Sequence, residues 1–235
     1  MGAIFKRELK AYFYSPIGYV FIGFFMALSG LFFSFANIRG GRGDLNYLFG
    51  NLIIVIIFLI PILTMRLISE EKNNKTDILL LTSPISIVSI VAGKILSAFA
   101  VFAITLIASL IYPIIISKFT SPVWSEIIGI YVGFFLMGIS FITIGIYISS
   151  LTENQIISAI ATFVILFMLY IIYLLVPLLS NPFLVTFVSY LSIATRFNDF
   201  VSGVINIESV VYYLSIVVLF GYLTVVQLEK RRWKK

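Results

Sequence analysis

The chain has 235 residues, of which 61% are hydrophobic and only 11% charged, and its mean hydropathy is +1.12. Because soluble domains carry about 25% charged residues, this composition predicts an integral membrane protein, with no part polar enough to form a soluble domain. Cysteine and histidine are absent, which excludes disulfides, thiolate chemistry and the commonest general base, and the net charge of +6 lies near the ends of apolar runs, so no nucleic-acid partner is expected.

The N-terminal segment, residues 3–15, is predicted to form an amphipathic helix that lies in the membrane interface. Its apolar side chains, Tyr12 among them, share one helical face, and its lysines point toward water. The alternative is a signal peptide, because Ser34-Phe35-Ala36 is similar to a small-x-small cleavage site. Against that alternative, the charged segment contains an acid and the following apolar stretch is longer than a signal-peptide core.

Six apolar runs reach the roughly 20 residues that a helix needs to cross a bilayer. They lie at about 17–37, 45–65, 87–116, 127–149, 155–179 and 209–228. We therefore predict one all-α membrane domain of six transmembrane helices over residues 1–235. Small residues at Gly129-xxx-Gly133, Gly145-xxx-Ser149 and Gly23-xxx-Ala27 predict close helix packing, which is more often intramolecular than between chains.

The distribution of lysine and arginine predicts the orientation. With the N-terminus in the cytoplasm, twelve basic residues fall on the cytoplasmic side, and four on the outer side: Arg39, Arg42, Lys118 and Arg196. Both termini are therefore expected in the cytoplasm.

The segment 180–208, between the fifth and sixth spans, is apolar but interrupted by polar residues. A span that carried Arg196 and Asp199 through the bilayer would be costly. We therefore predict outer re-entrant helices, with Phe197 and Gly203 also belonging to this segment. A marginal seventh span or a plain apolar surface loop is the alternative.

The segment 66–86 is the longest charge-dense stretch inside the chain and lies between the second and third spans. Residues 69–82 are predicted to form a helix along the membrane surface, with acids near its start and Ile78 to Leu81 as an apolar anchor. The alternative is a solvated loop whose charges only maintain topology.

The chain offers no energy source of its own. Gly93-Lys94 is followed by Ile95 where a phosphate-binding loop has Ser or Thr, so no nucleotide site and no enzyme activity are expected. The predicted span interiors lack charged residues, which argues against a proton relay. If the protein moves a substrate, the energy is expected from a partner.

Several runs resemble the ABC-2 type exporter permeases, and more narrowly their gliding-motility and multicopper-maturation branch. The runs are Phe5 to Lys10, Tyr14 to Tyr19, Leu63 to Lys72, Thr76 to Ser86 with Lys94, Arg196 to Phe200, and Leu228 to Trp233. Two departures affect the cytosolic motif: Asn73-Asn74 replaces a commoner basic-Gly turn, and Asp77 stands where Glu is usual.

The resemblance implies a permease subunit that forms a translocation pathway in a bacterial inner or plasma membrane. It implies two copies of an ABC ATPase subunit, which would bind ATP and Mg²⁺, and a second permease, identical or paralogous. A coupling helix within 66–86 would sit in a groove of the ATPase. The coupling residues implied are Arg66, Glu70, Glu71, Lys72, Thr76, Asp77, Leu79, Leu80, Leu81, Pro84 and Lys94.

Two other functions stay open from the sequence. One is a non-transporting membrane anchor or assembly subunit of a cytosolic or motility complex. The other is a self-sufficient secondary transporter, which the uncharged span interiors disfavour.

Overall fold

The computed structural model describes residues 1–82, 85–175, 188 and 192–233, and this part of the chain is helical, without a strand. A π-helix, Ser34–Arg39, extends the second α-helix. The α-helices are α1 Gly2–Tyr14, α2 Pro16–Phe33, α3 Asn46–Thr64, α4 Arg66–Asn73, α5 Asp77–Thr82, α6 Ile87–Ser109, α7 Ile111–Ile116, α8 Trp124–Leu151, α9 Gln155–Leu175, α10 Ile193–Val201 and α11 Ile207–Trp233.

Six helices of the described chain are long and apolar enough to span a membrane, which confirms the predicted number. They are Pro16–Arg39, Asn46–Asn73, Ile87–Ile116, Trp124–Leu151, Gln155–Ile172 and Ile207–Arg232. The second runs past its predicted end at residue 65, because α4 follows α3 after a single break at Met65.

The spans differ sharply in how deeply they are buried inside the protein. The α3–α4 and α8 spans are 72% and 67% buried over their most apolar windows, whereas the α9 and α11 spans are each 17% buried. Helices α3 and α8 therefore form the centre of the bundle, and α9 and α11 present most of their apolar surface to the surroundings. That surface suits lipid, since lipid tails are as apolar as these side chains.

The loops divide between two ends of the bundle. At one end, which we call the N-terminal end, α1 contacts α4 through Arg7 and Glu71, and the end of α11 contacts α5 through Arg231 and Asp77. At the opposite, distal end, the chain between α2 and α3 meets the loop between α7 and α8, where Gly43 approaches Thr120. Helix α10 also lies at the distal end.

The break between α6 and α7 follows from proline. Pro113 has no N–H, and its ring clashes with the carbonyl four residues earlier, that of Ser109, where α6 ends. The Ser109 carbonyl instead accepts a hydrogen bond of 2.8 Å from the hydroxyl of Tyr131 on α8. The third span is therefore two helices joined at Leu110.

Glycines on α8 mark two close contacts within the chain. A Cβ at Gly129 would lie 2.4 Å from the backbone oxygen of Phe200 on α10, and one at Gly145 would lie 2.4 Å from Oγ1 of Thr64 on α3. These two predicted packing faces are thus confirmed as intramolecular. At Gly23 on α2 a Cβ would meet nothing within 4 Å, so the third predicted face has no partner within the described chain.

The single surface helix predicted for residues 69–82 is wrong, because the chain forms two short helices there. Helix α4 ends at Asn73, and a turn precedes α5, which begins at Asp77. Lys75 in this turn has φ of 57°, a left-handed conformation that ends a helix. The N-terminal helix, in contrast, spans Gly2–Tyr14, close to its predicted bounds.

Candidate functional site

Helix α4 is anchored to α8 by a hydroxyl that satisfies its first backbone groups. Because the chain breaks at Met65, the N–H groups at the start of α4 have no partner within a helix. The Oγ of Ser149 accepts from the N–H of Ile68 at 3.3 Å and of Ser69 at 3.1 Å, and donates to the Met65 carbonyl at 3.0 Å. Ser149 therefore fixes where α4 begins relative to α8.

A buried lysine connects α4 to two other helices. Lys94 of α6 is 1% exposed, and its Nζ lies 3.1 Å from Oε1 of Glu8 on α1 and 2.8 Å from Oε2 of Glu71 on α4. It also donates a hydrogen bond of 2.6 Å to the Leu67 carbonyl. The ammonium has three donors, and the three oxygens match them. One side chain thus joins α1, α4 and α6.

Arg7 closes this cluster on the solvent side. Its guanidinium lies 2.5 Å from Oε1 of Glu8 and 2.6 Å from Oε1 of Glu71. Each carboxylate therefore contacts two cations, and each cation contacts two carboxylates. We call Arg7, Glu8, Glu71 and Lys94 the ion cluster.

Ionisation within the cluster follows from these contacts. Burial raises the pKa of Glu8, but the Lys94 ammonium and the Arg7 guanidinium outweigh burial, so its pKa is lowered overall. Burial lowers the pKa of Arg7, and Glu8 and Glu71 raise it beyond its ordinary value. Both groups are therefore held in their charged forms, as a buried ion pair requires.

Two further contacts hold the α3–α4 junction against α1. The Tyr12 hydroxyl donates a 2.7 Å hydrogen bond to the Leu63 carbonyl, and Nη1 of Arg66 donates one of the same length to Oγ of Ser15. Burial raises the pKa of Tyr12 well above its ordinary value, so the phenol stays protonated. Arg66 also pairs with Glu70, one turn along α4, at 3.4 Å.

The far side of α4 and the start of α5 contact other parts of the chain. Lys72 is buried and its Nζ donates to the Ser150 carbonyl at the end of α8. Oδ2 of Asp77, also buried, lies 2.7 Å from Nε of Arg231, although the two atoms are not aligned as a hydrogen bond. Arg231 in turn donates to Glu153, in the short loop after α8, at 2.9 Å.

The exposed part of the segment is therefore narrow. Among the described residues of the segment, Asn73 to Thr76, in the turn after α4, are exposed, as are Ile78 and Ser86. The side chain of Glu70, beside this turn, is 37% exposed. The turn is closed by a 2.9 Å hydrogen bond from the Thr76 N–H to the Glu71 carbonyl. We call Glu70 and Asn73 to Thr76 the α4 turn.

The predicted coupling residues thus divide into two groups. Glu70 and Thr76 face outward, whereas most of the charged ones contact other parts of the chain: Arg66, Glu71, Lys72, Asp77 and Lys94. Leu80 is half-buried, Pro84 lies outside the described residues, and so do the side chains of Leu79 and Leu81. Their role in coupling stays a prediction.

Sequence reasoning missed the residues on the other side of these contacts. Glu8 lies one helical turn from Ile4 and one from Tyr12, and all three are buried. An acid on a face with buried neighbours is a signal that could have found it. Ser149 was noted only as a small residue, and its hydroxyl could not have been assigned to α4 from spacing alone.

At the distal end, α10 brings together the residues predicted for the outer segment. Phe197 is buried, Arg196 lies 3.6 Å from Glu208, and Oδ2 of Asp199 accepts a 2.5 Å hydrogen bond from Ser209. Gly203 ends this region with φ of 76°. The re-entrant path itself stays a prediction, since most of residues 180–191 lie outside the described part.

Within the described ranges, no three acidic side chains approach closely enough to hold a metal ion. The contacts provide rigid connections between helices: Lys94 joins α1, α4 and α6, and Ser149 joins α4 to α8. A force applied to the exposed turn would be carried into α3, α6 and α8 by bonds that are directional and buried.

A family model described as "ABC-2 family transporter protein" matches residues 42–227, which is more than half of the chain. No curated protein matches the chain. The match covers α3 to α10 and most of α11, including α4, α5 and Lys94, but neither α1 nor α2. The narrower resemblance to the gliding-motility and multicopper-maturation branch stays a prediction.

Proposed function

The chain belongs to the ABC-2 family of transporter proteins and is a multi-pass membrane permease; we propose that it couples its spans to a separate ABC ATPase through the α4 turn. Permeases of this family generally work with an ABC ATPase subunit. This chain would form the translocation pathway, and the ATPase, with bound ATP and Mg²⁺, would supply the energy. Export is the direction we propose.

The observation that carries the proposal is the contrast within one short segment. The α4 turn is exposed, while the helix behind it is held by Ser149, Lys94 and the Ser150 carbonyl. A partner that displaced Lys75 or Asn74 would therefore act on a segment that is fixed to the helix bundle. The displacement would pass to α6 through Lys94 and to α8 through Ser149.

The proposal includes an orientation and an assembly. The N-terminal end would face the cytoplasm, because basic residues are concentrated in the segments that meet there. Two ATPase subunits would serve two permeases, identical or paralogous, in the inner or plasma membrane of a bacterium. Glu70 and Thr76 would contact the ATPase directly, and the residues behind them would transmit the movement.

The test is charge reversal confined to the exposed turn. Lys75→Glu and Glu70→Lys each change an exposed side chain, so the fold is expected to persist. Each is expected to weaken co-purification with the cognate ATPase by about tenfold and to reduce permease-stimulated ATP hydrolysis in parallel.

The matched control is Lys118→Glu, at a lysine that is also exposed but lies at the distal end. It is expected to leave both co-purification with the ATPase and stimulated ATP hydrolysis at the level of the wild-type protein. The coupling proposal is wrong if the turn variants and the control behave alike, or if the ATPase does not associate with the chain at all.

A further inference from the structure

The distal end contains an apolar cavity that the coupling proposal does not use. Its volume is about 440 Å³, within the range of about 300–1,000 Å³ that is usual for small-molecule sites. Phe33 and Ile38 line it from the first span, and Ile115, Ile116 and Phe119 line it from the end of α7 and the loop that follows.

The local backbone explains why a space opens here. The first span ends as a π-helix, Ser34–Arg39, whose wider turn carries Asn37 and Ile38. On the opposite wall, the third span is interrupted at Leu110 because of Pro113. The cavity therefore lies between two spans that are both irregular near their distal ends.

Two polar side chains, those of Asn37 and Arg42, belong to the cavity wall. The amide nitrogen of Asn37 donates to the Arg42 carbonyl at 2.8 Å and to the Asp44 carbonyl at 2.7 Å, which fixes the orientation of the amide. Asn37 is 9% exposed, and its Oδ1 is buried and accepts no hydrogen bond within the part of the chain described. Because Oδ1 is enclosed by protein, what Asn37 does in the cavity wall is to hold, through its amide nitrogen, the loop that carries Arg42.

The other side chain is Arg42. It is exposed, its guanidinium lies 5.1 Å from the centre of the Tyr47 ring, and it forms no ion pair among the described residues. An arginine held on an aromatic face keeps its planar set of donors available for a phosphate. The cavity thus combines an apolar floor with a cation at its wall.

The position of the cavity relative to the bilayer indicates that its ligand is a lipid. The lining residues are the last turns of two membrane spans and the loop residues that follow them, where the hydrocarbon core meets the headgroups. This position puts the apolar floor within reach of acyl chains and the exposed Arg42 within reach of headgroups. We propose that this cavity binds one acyl chain of an anionic phospholipid from the leaflet opposite the N-terminus. The lipid phosphate contacts Arg42, whose guanidinium is exposed at the cavity wall.

The test compares two lipids that differ only in the headgroup. The full-length chain in a neutral detergent is titrated with dioleoyl phosphatidylglycerol or dioleoyl phosphatidylcholine, and bound lipids are counted by native mass spectrometry. The unchanged protein is expected to retain one phosphatidylglycerol in preference to phosphatidylcholine. Arg42→Gln is expected to lower the affinity for phosphatidylglycerol by about tenfold.

Arg39 provides the matched control. It lies three residues away, is also exposed, and its guanidinium lies over the Phe35 ring, outside the cavity wall. Arg39→Gln is expected to leave the affinity unchanged. The proposal is overturned if both glutamine variants weaken binding equally, or if the unchanged protein binds both lipids alike.

A second pair tests the apolar floor. Ile115→Trp fills the cavity and is expected to abolish the preferred lipid, whereas Ile114→Trp, on the exposed neighbour outside the wall, is expected to retain it. Equal retention by the two variants contradicts a bound acyl chain. Displacement of phosphatidylglycerol by an equimolar amount of oleate also contradicts the proposal, because it would make the site one for a free fatty acid.

Discussion

Helices α4 and α10 solve the same packing problem with different chemistry. Each is a short amphipathic helix, of eight and nine residues, that lies against α8 at opposite ends of the bundle. Helix α4 is held by directional contacts: a serine hydroxyl, a carbonyl and a buried lysine. Against α8, helix α10 is held by shape, because Phe200 lies against Gly129 and Gly133, and its hydrogen bonds go to Ser209 and Tyr213 of α11 instead.

The difference indicates which helix can transmit movement in a fixed direction. A hydrogen-bonded ion pair has one good geometry, so a displacement of α4 must either carry α6 and α8 with it or break several buried contacts together. An aromatic ring against glycines resists compression but has no preferred sliding direction. The N-terminal end is thus suited to coupling, and the distal end to close packing.

The largest expected effect comes from removing Lys94, the buried cation on which the contacts of α4 depend. Lys94→Met leaves Glu8 and Glu71 without their buried partner, and removal of one member of a buried ion pair costs about 3–5 kcal/mol. We expect a loss of this size in the free energy of unfolding, measured by denaturant titration in mixed micelles.

The accompanying variant separates charge from packing. Lys94→Met combined with Glu8→Gln and Glu71→Gln removes the uncompensated charges and is expected to recover much of the lost stability. Lys118→Met, at an exposed position, is expected to change stability by less than about 0.5 kcal/mol. If the triple variant is less stable than Lys94→Met alone, the cluster does not act through its charges.

At the distal end, a single methyl group is expected to have a smaller effect. Gly129→Ala places a Cβ 2.4 Å from the Phe200 backbone oxygen, so α10 must move, and overpacking of this kind costs about 1–3 kcal/mol. Gly23→Ala meets nothing within 4 Å and is expected to be neutral or slightly stabilising, since Ala favours a helix over Gly by about 0.8–1.0 kcal/mol. Equal unfolding midpoints for the two variants would contradict the close contact.

The fold was largely predictable because membrane spans are a signal of length and composition. Six apolar runs predicted six helices, and Gly129 and Gly145 predicted close contacts within the chain. The two helices within residues 66–82 were not predictable, since the break depends on Lys75 adopting a left-handed backbone conformation. Lysine does not favour that conformation, so the sequence gives no sign of the break.

The candidate site was predicted only in part. The sequence indicated Glu71 and Lys94 as important but not that they contact each other, because the charge pattern does not specify which helices become neighbours. It also proposed Asp77 as a contact for an outside partner, but gave no sign that Asp77 lies against Arg231 of α11. Contacts between residues so distant in sequence require the packing of the whole bundle.

The smallest expected effect is the dependence of stability on pH, which compares a carboxylate at the N-terminal end with one at the distal end. Glu8 has a lowered pKa in the folded protein, so its contribution to stability is present above the pKa of an unfolded glutamate, about 4.3, and is lost as the pH falls through the lower folded value. We expect the free energy of unfolding to decline below about pH 4.3, and the decline to be shallower in Glu8→Gln. The control is Asp199→Asn, at the carboxylate that accepts a hydrogen bond from Ser209 at the distal end. In this variant, the loss of stability at low pH that comes from Glu8 is expected to remain. Identical slopes in all three proteins would mean that the buried carboxylate of α1 does not stabilise the fold through its charge.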